Sequence, residues 1–148
     1  MKRILFLVLI CFAMSQSASA QPRAHINHLA IYVVNLQRSV AFYTGVFGLD
    51  TIPEPFHDNK HAWYRIGPGM ALHVIEGATQ PKEYYQNNHM CFSVPSVDAF
   101  LDRIKAKQIP WVNAKGEKMQ VTTRVDGVKQ IWVNDPDGYW IEVNDAKD

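Results

Sequence analysis

"INHLAIYVV" (residues 26–34) and "NNHMCFSVP" (residues 87–95) each set an Asn-His pair at the head of an alternating apolar run. At the offset of sixty-one that superposes the two histidines, Ile31, Val33, Leu36, Val40 and Tyr43 fall on Phe92, Val94, Val97, Leu101 and Ile104. The first part of each copy has the period of a strand and the second that of a helix. Asn35 and Ser96 stand at N-cap positions, and Gly48 follows the first helix as a C-terminal glycine. Beyond the helices, "HAWYRIG", "PG" and "MALHVIEG" read as strand, turn, strand. "VTTRVDG", "VKQIWVN", "DPDG" and "YWIEVND" repeat the plan with a longer insertion. The expected fold is α+β: two βαβββ modules, about 26–77 and 87–144, joined around "ATQPKEYYQ".

Strand parity then sorts the side chains, because neighbours along a strand point to opposite faces of the sheet. Leu29, Ile31 and Val33 share the face that a helix covers; His28, Ala30 and Tyr32 share the other. The same division sets Met90, Phe92 and Val94 against His89, Cys91 and Ser93. Leu72 and Val74 oppose His73, while Ile141 and Val143 oppose Trp140, Glu142 and Asn144. His28, His73, His89 and Glu142 therefore all belong to helix-free faces. If the modules curl into an open, partly barrel-like mixed sheet, these four line one cavity with the donors that suit a divalent first-row metal. Ala30 and Ser93 leave room for a substrate, and Tyr32, Ser93 and Trp140 are the expected substrate contacts.

The totals bound what else the chain can be. Residues 1–20, "MKRILFLVLICFAMSQSASA", have a basic start, an apolar stretch from Ile4 to Met14 and a small-residue ending. That layout is a secretory signal peptide, so the expected location is periplasmic or secreted, and the apolar stretch is too short to span a bilayer. Residues 21–148 then suffice for one domain with its own core and no membrane anchor. They carry thirteen basic and fourteen acidic residues, a balance that argues against a nucleic-acid partner. Of Cys11 and Cys91 only Cys91 lies beyond the leader, which leaves no disulfide within the chain.

Other titratable residues read more simply. His57 and His61 flank the turn-like "DNK" and are expected in solvent; His25 lies near the new N-terminus. Glu76 is on the helix side at a strand end and reads as surface. Cys91 has the parity of His89 but is more commonly a buried, inert thiol. Of Trp63 and Tyr64, one belongs to the core and one to the cavity.

With these residues in place, the chain resembles the vicinal oxygen chelate superfamily, which includes glyoxalase I, fosfomycin-resistance transferases, extradiol dioxygenases and bleomycin-binding proteins. The resemblance runs from about Ile26 to Asn144 and is carried by "INHLAIYVVNLQRSVAFYTGVFGLD" and "VNDPDGYWIEVND". It implies one divalent ion, of Zn, Ni, Mn, Fe or Co, held by the first and last strands of each module, positions that match His28, His73, His89 and Glu142. It also implies a homodimer acting on a small molecule. In glyoxalase I the position of His73 usually carries Glu, whereas the fosfomycin and dioxygenase branches rely mainly on a trio matching His28, His89 and Glu142. Three imidazoles and one carboxylate leave a divalent ion with net positive charge, which favours an anionic or enolate-like ligand.

The resemblance points first to a glyoxalase-type lyase or isomerase with Glu142 as the base. Two alternatives stand beside it: an extradiol-type dioxygenase with a His-His-Glu iron site, and a binding protein that sequesters an antibiotic or other small molecule without chemistry. Export counts against a glutathione adduct as substrate, since glutathione is chiefly a cytosolic thiol.

Overall fold

The computed structural model describes residues 23–147, so the leader-like residues 1–20 lie outside the described residues. β1 (His28–Val33) leads through Asn35 into α1 (Leu36–Phe42), followed by β2 (Thr51–Ile52), β3 (His61–Gly67) and β4 (Met70–Glu76). The second module repeats the order with β5 (His89–Ser93), α2 (Val97–Ala106), β6 (Thr122–Thr123), β7 (Lys129–Asn134) and β8 (Trp140–Asn144). Each module forms one four-stranded mixed sheet, in the orders β1-β4-β3-β2 and β5-β8-β7-β6. The first and last strands of a module are parallel neighbours, and the remaining pairings are antiparallel. No barrel closes; the fold is the α+β pair of modules read from the repeat.

Alternation along β1 is preserved: Ile31 and Val33 are buried, and His28, Ala30 and Tyr32 are exposed. Leu72 and Val74 of β4, with Ile141 and Val143 of β8, are fully buried on the helix side. Helix-side residues of both modules join in a single apolar cluster. Phe47 tilts against Phe92 at 5.0 Å and Phe100 at 5.5 Å between ring centroids, and Arg103 donates to the Val46 carbonyl at 3.1 Å.

Both predicted N-caps hold their helices. The Asn35 side chain accepts from Arg38 N at 2.8 Å and Ser96 Oγ accepts from Ala99 N at 3.3 Å. Three features depart from the sequence reading. Residues Tyr43–Phe47 form a π-helical turn after α1, closed by Gly48 at φ 68, the left-handed region a glycine reaches without a Cβ clash. Glu76, read as surface, instead accepts from Leu36 N at 2.7 Å, placing a carboxylate on the first turn of α1. The strand expected across "VTTRVDG" shortens to Thr122–Thr123, and the preceding insertion runs irregularly, touching β7 through the Val112–Trp132 bridge.

The "DPDG" turn between β7 and β8 ties the modules together. Asp137 is buried, accepts from Val34 N at 2.8 Å and from Ser39 Oγ at 3.4 Å, and lies 3.6 Å from Arg38. Asp135 accepts from Tyr43 Oη at 3.0 Å and from its own turn's amides at Asp137 and Tyr139. Burial pushes the Asp135 carboxyl up and, with Asp135 beside it, raises the Tyr43 phenol well above the ordinary value. Gly138 (φ 91) completes the turn, and a Cβ there would collide with the Lys82 carbonyl of the inter-module segment.

This turn generates a stability prediction. Asp137→Ala strands the Val34 amide in a partly buried setting and should cost about 1–3 kcal/mol, whereas Tyr43→Phe should cost about 1 kcal/mol. Urea denaturation followed by circular dichroism gives both, and a midpoint for Asp137→Ala equal to wild type would refute the bracing role.

Candidate functional site

Parallel pairing within each module brings ligand-type residues from its two ends side by side. In the first module β1 and β4 run in register with Ala30 opposite His73 and His28 opposite Ala71, so the two histidines are diagonal neighbours on one face. Their rings stack at 4.3 Å and 9°. Trp63, opposite His73 on β3, stacks on its other side at 3.9 Å and 3°. Thus Trp63 is the open-face member of its pair and Tyr64, fully buried, the core member. Burial first, then the neighbouring His28 and His61, lowers the pKa of His73 and favours its neutral ring.

In the second module β5 and β8 set His89 opposite Trp140 and Cys91 opposite Glu142. His89 Nε2 lies 3.1 Å from Glu142 Oε2. The other ring nitrogen, Nδ1, is 2.8 Å from the Gln86 carbonyl oxygen, which can only accept, so Nδ1 carries a proton. Trp132 meets this ring edge-on, with centroids 5.8 Å apart. Its indole nitrogen is 3.4 Å from the same Nδ1, a longer contact than that to Gln86. In a neutral His89, Nε2 therefore presents a lone pair to a carboxylate oxygen that also has only lone pairs. Such a contact needs a positive centre between the two atoms: a second ring proton or a metal ion.

The separation fits both, since 3.1 Å is within the range of an N–H···O bond from a doubly protonated ring. Ligand nitrogen and oxygen atoms at about 2.0–2.2 Å from one ion stand roughly 3–3.5 Å apart at right-angled to tetrahedral geometry. The carbonyl on the far nitrogen is the supporting contact that metal-bound imidazoles generally have. His28 is set the same way, its Nδ1 2.9 Å from Asn27 Oδ1, which leaves Nε2 free. Asn27 thus gives one of the repeated Asn-His pairs a physical purpose, while in the second copy the Gln86 main chain takes the orienting role.

Glu142 is itself held. Asn144 Nδ2 donates to Glu142 Oε1 at 2.9 Å, and Ser93 Oγ donates to Asn144 Oδ1 at 3.2 Å. Asn144 Nδ2 also lies 3.2 Å from Cys91 Sγ. Cys91 is exposed at the residue level, yet desolvation of its sulfur and the nearby Glu142 push the thiol up to about 12. That keeps it protonated at neutral pH.

The structure brings the four expected ligands together as two pairs rather than as one quartet. Among the described residues no group of three or more His, Cys, Asp or Glu side chains is placed to hold one ion. Convergence on a single cavity, as parity suggested, does not occur within one chain.

Of the expected substrate contacts, Trp140 lines a cavity of about 220 Å³ together with His89, Met90, Tyr84, Tyr139 and residues 29–31 of β1. Its indole donates to the Tyr84 carbonyl at 2.8 Å. Ser93 spends its hydroxyl on Asn144 and acts through Glu142. Tyr32 lies four residues beyond His28, about 13 Å along the strand, packed over Gly77, with its amide donating to Tyr139 Oη at 3.1 Å. By register it is as near His73 as His28 is, but its ring lies over Gly77. His57 is exposed at φ 52, and His25 is exposed. His61, expected in solvent, instead opens β3 half-buried, 2.9 Å from Asp58 and against Phe56 at 4.4 Å. Asn144 and Trp132 were missed as site residues, although both share the parity of Glu142 and Trp140.

A sequence profile of the Glyoxalase/Bleomycin resistance protein/Dioxygenase superfamily matches residues 25–143. The chain belongs to that superfamily. A lactoylglutathione lyase of Salmonella typhimurium is 33% identical over 131 residues, covering 82% of this chain and 92% of the relative. A metallothiol transferase FosB of Lysinibacillus sphaericus is 30% identical over 120 residues, covering 79% of each. Among solved structures, a mutant of the fosfomycin resistance protein FosX from Listeria monocytogenes, complexed with Mn(II) and 1S,2S-dihydroxypropylphosphonic acid, superposes with TM-score 0.66. Its identity is 23%, over 85% of this chain and 93% of that one, and it shows the shared fold.

The ring-nitrogen assignment is directly testable. Histidine-selective ¹⁵N spectra of metal-free protein at pH 8 should show His28 and His89 carrying their proton on Nδ1. An Nε2-protonated form at His89 would remove the argument for a cation between it and Glu142.

Proposed function

We propose that the protein is a metal-dependent enzyme of the glyoxalase type, a lyase or isomerase that moves a proton on a small substrate bearing vicinal oxygens. The observation that carries this reading is the 3.1 Å approach of His89 Nε2 to Glu142 Oε2, with the other oxygen of that carboxylate held by Asn144. His89 and Glu142 would hold one divalent ion with His28. When bound, the ion supplies Lewis acidity toward adjacent substrate oxygens and so acidifies the neighbouring C–H. Glu142 takes that proton on a carboxylate oxygen and returns it to the adjacent carbon, which makes the overall change an isomerisation with no net redox. Asn144 holds Oε1, so Oε2 is the oxygen that would either face the ion or, released from it, take the proton.

On the same reading the protein is an exported homodimer working in the periplasm or outside the cell. The pairs separated within one chain support a site completed by a second copy, His28 and His73 of one protomer meeting His89 and Glu142 of its partner. The stack around His73 favours a second reading within the family, a three-ligand site with His73 as an aromatic wall. That arrangement suits transfer of a thiol to an electrophilic carbon, in keeping with the FosB relative.

Three measurements test these points. Glu142→Gln should lower turnover of hemithioacetals by about 10²–10⁴-fold, in line with loss of a general base; wild-type turnover absent with every one of Ni, Co, Zn, Mn and Fe would reject the glyoxalase reading. Asn144→Leu should weaken metal binding by about 10–100-fold in a competition with a chelating dye. His28→Ala and His89→Ala should each be inactive, but mixing them after reversible dissociation should restore about a quarter of wild-type activity, because half the dimers then carry one intact site. No recovery would place the whole site within one chain.

A further inference from the structure

The insertion between α2 and β6, which the sequence marked only as extra length, folds back over β7 and roofs a cavity of about 350 Å³ next to His89. Its walls are Trp132 and Trp140 from the sheet, with Trp111, Val112, Lys118 and Met119 from the insertion. The position is fixed by main-chain bonds: Val112 N donates to the Trp132 carbonyl at 2.9 Å and Trp132 N donates to the Val112 carbonyl at 2.9 Å. Trp132 borders the cavity and meets the His89 ring at 5.8 Å between centroids and 81° between planes. Trp140 lines both this cavity and the smaller one that holds His89. Nothing in the proton-transfer reading uses this space.

We propose that the cavity takes an aryl group of the substrate whose vicinal oxygens meet the His89–Glu142 pair; the assignment rests on the functional reading above and narrows its substrate class. The half-buried Trp140 and the Met119 thioether, with the small exposed parts of Trp111 and Trp132, give an apolar, polarisable lining suited to a planar ring. The volume falls in the range of small-molecule sites, which begins near roughly 300 Å³. Lys118 is the single charged side chain of the lining and has no ion-pair partner among the described residues. It suits one acidic or electron-rich substituent on the ring and is poorly matched to a peptide adduct with several ionised groups. Met119 is held at φ 59, a costly backbone for a residue with a side chain, and stays half-exposed at the rim. The Trp111 indole nitrogen is buried with no hydrogen-bond partner among the described residues.

The experiment compares two acids with the same adjacent oxygens, benzoylformate with a ring and pyruvate without one, on the full chain loaded with Mn(II). Quenching of tryptophan fluorescence reads both affinities. Benzoylformate should bind at least tenfold tighter than pyruvate. Met119→Glu should abolish that preference and Met119→Leu should retain it, both at an exposed position where the fold is not at stake. In parallel, indole, which has no oxygens, is followed by saturation-transfer NMR on metal-free protein. Indole bound by wild type and lost in Met119→Glu supports the ring pocket even where neither acid binds, an outcome that would count against the metal reading instead. Equal affinity for the two acids, or indole binding untouched by Met119→Glu, overturns the assignment.

Discussion

Parallel pairing of the first and last strands in each module is the constraint from which the site follows. Two residues separated by forty-five or fifty-three positions, His28 with His73 and His89 with Glu142, become neighbours on one face because β1 lies beside β4 and β5 beside β8. Parallel strands cannot be joined by a tight turn, so each pair needs a long connection, which α1 with β2 and β3, and α2 with β6 and β7, provide. The helices then cover one face and leave the other bare. Core and site are thus two sides of the same sheets, and the apolar alternation that builds the first also aims the second.

This arrangement explains why so much was visible in the sequence. A period of two needs only a few residues to declare itself: Ile31 and Val33 fixed the face of His28, and Ile141 and Val143 fixed that of Glu142. Asn35, Ser96 and Gly48 marked helix ends through local chemistry that acts within three or four residues. Both kinds of signal are short-range, and the structure agrees with both.

What escaped the reading was long-range or irregular. Glu76 looked like a surface carboxylate because its partner, the Leu36 amide, is forty residues away. The π turn at Tyr43–Phe47 adds a residue to a helical spacing that a 3.6 period already satisfies. Parity assigned His28, His73, His89 and Glu142 to bare faces, but parity says nothing about how two sheets sit relative to each other. The insertion before β6 has no period at all, so the indole-lined space beneath it had no signature. His73 stacked between His28 and Trp63 likewise depends on a cross-strand neighbour that register alone determines.

The buried carboxylates of the "DPDG" turn bear on how such a chain arose and how it can be cut. A tandem repeat suggests halves that once stood alone, each able to pair with its like. Here Asp135 and Asp137 reach into the other half, where Tyr43 donates to the first and Val34 and Ser39 to the second. Severed at the segment around residues 78–86, the C-terminal half would keep only its own turn's amides for Asp135 and lose the Val34 and Ser39 donors of Asp137, and the N-terminal half would be left with a phenol and a hydroxyl meant for them. The duplication is still legible as a pattern, but the two halves have become obligate partners within one polypeptide.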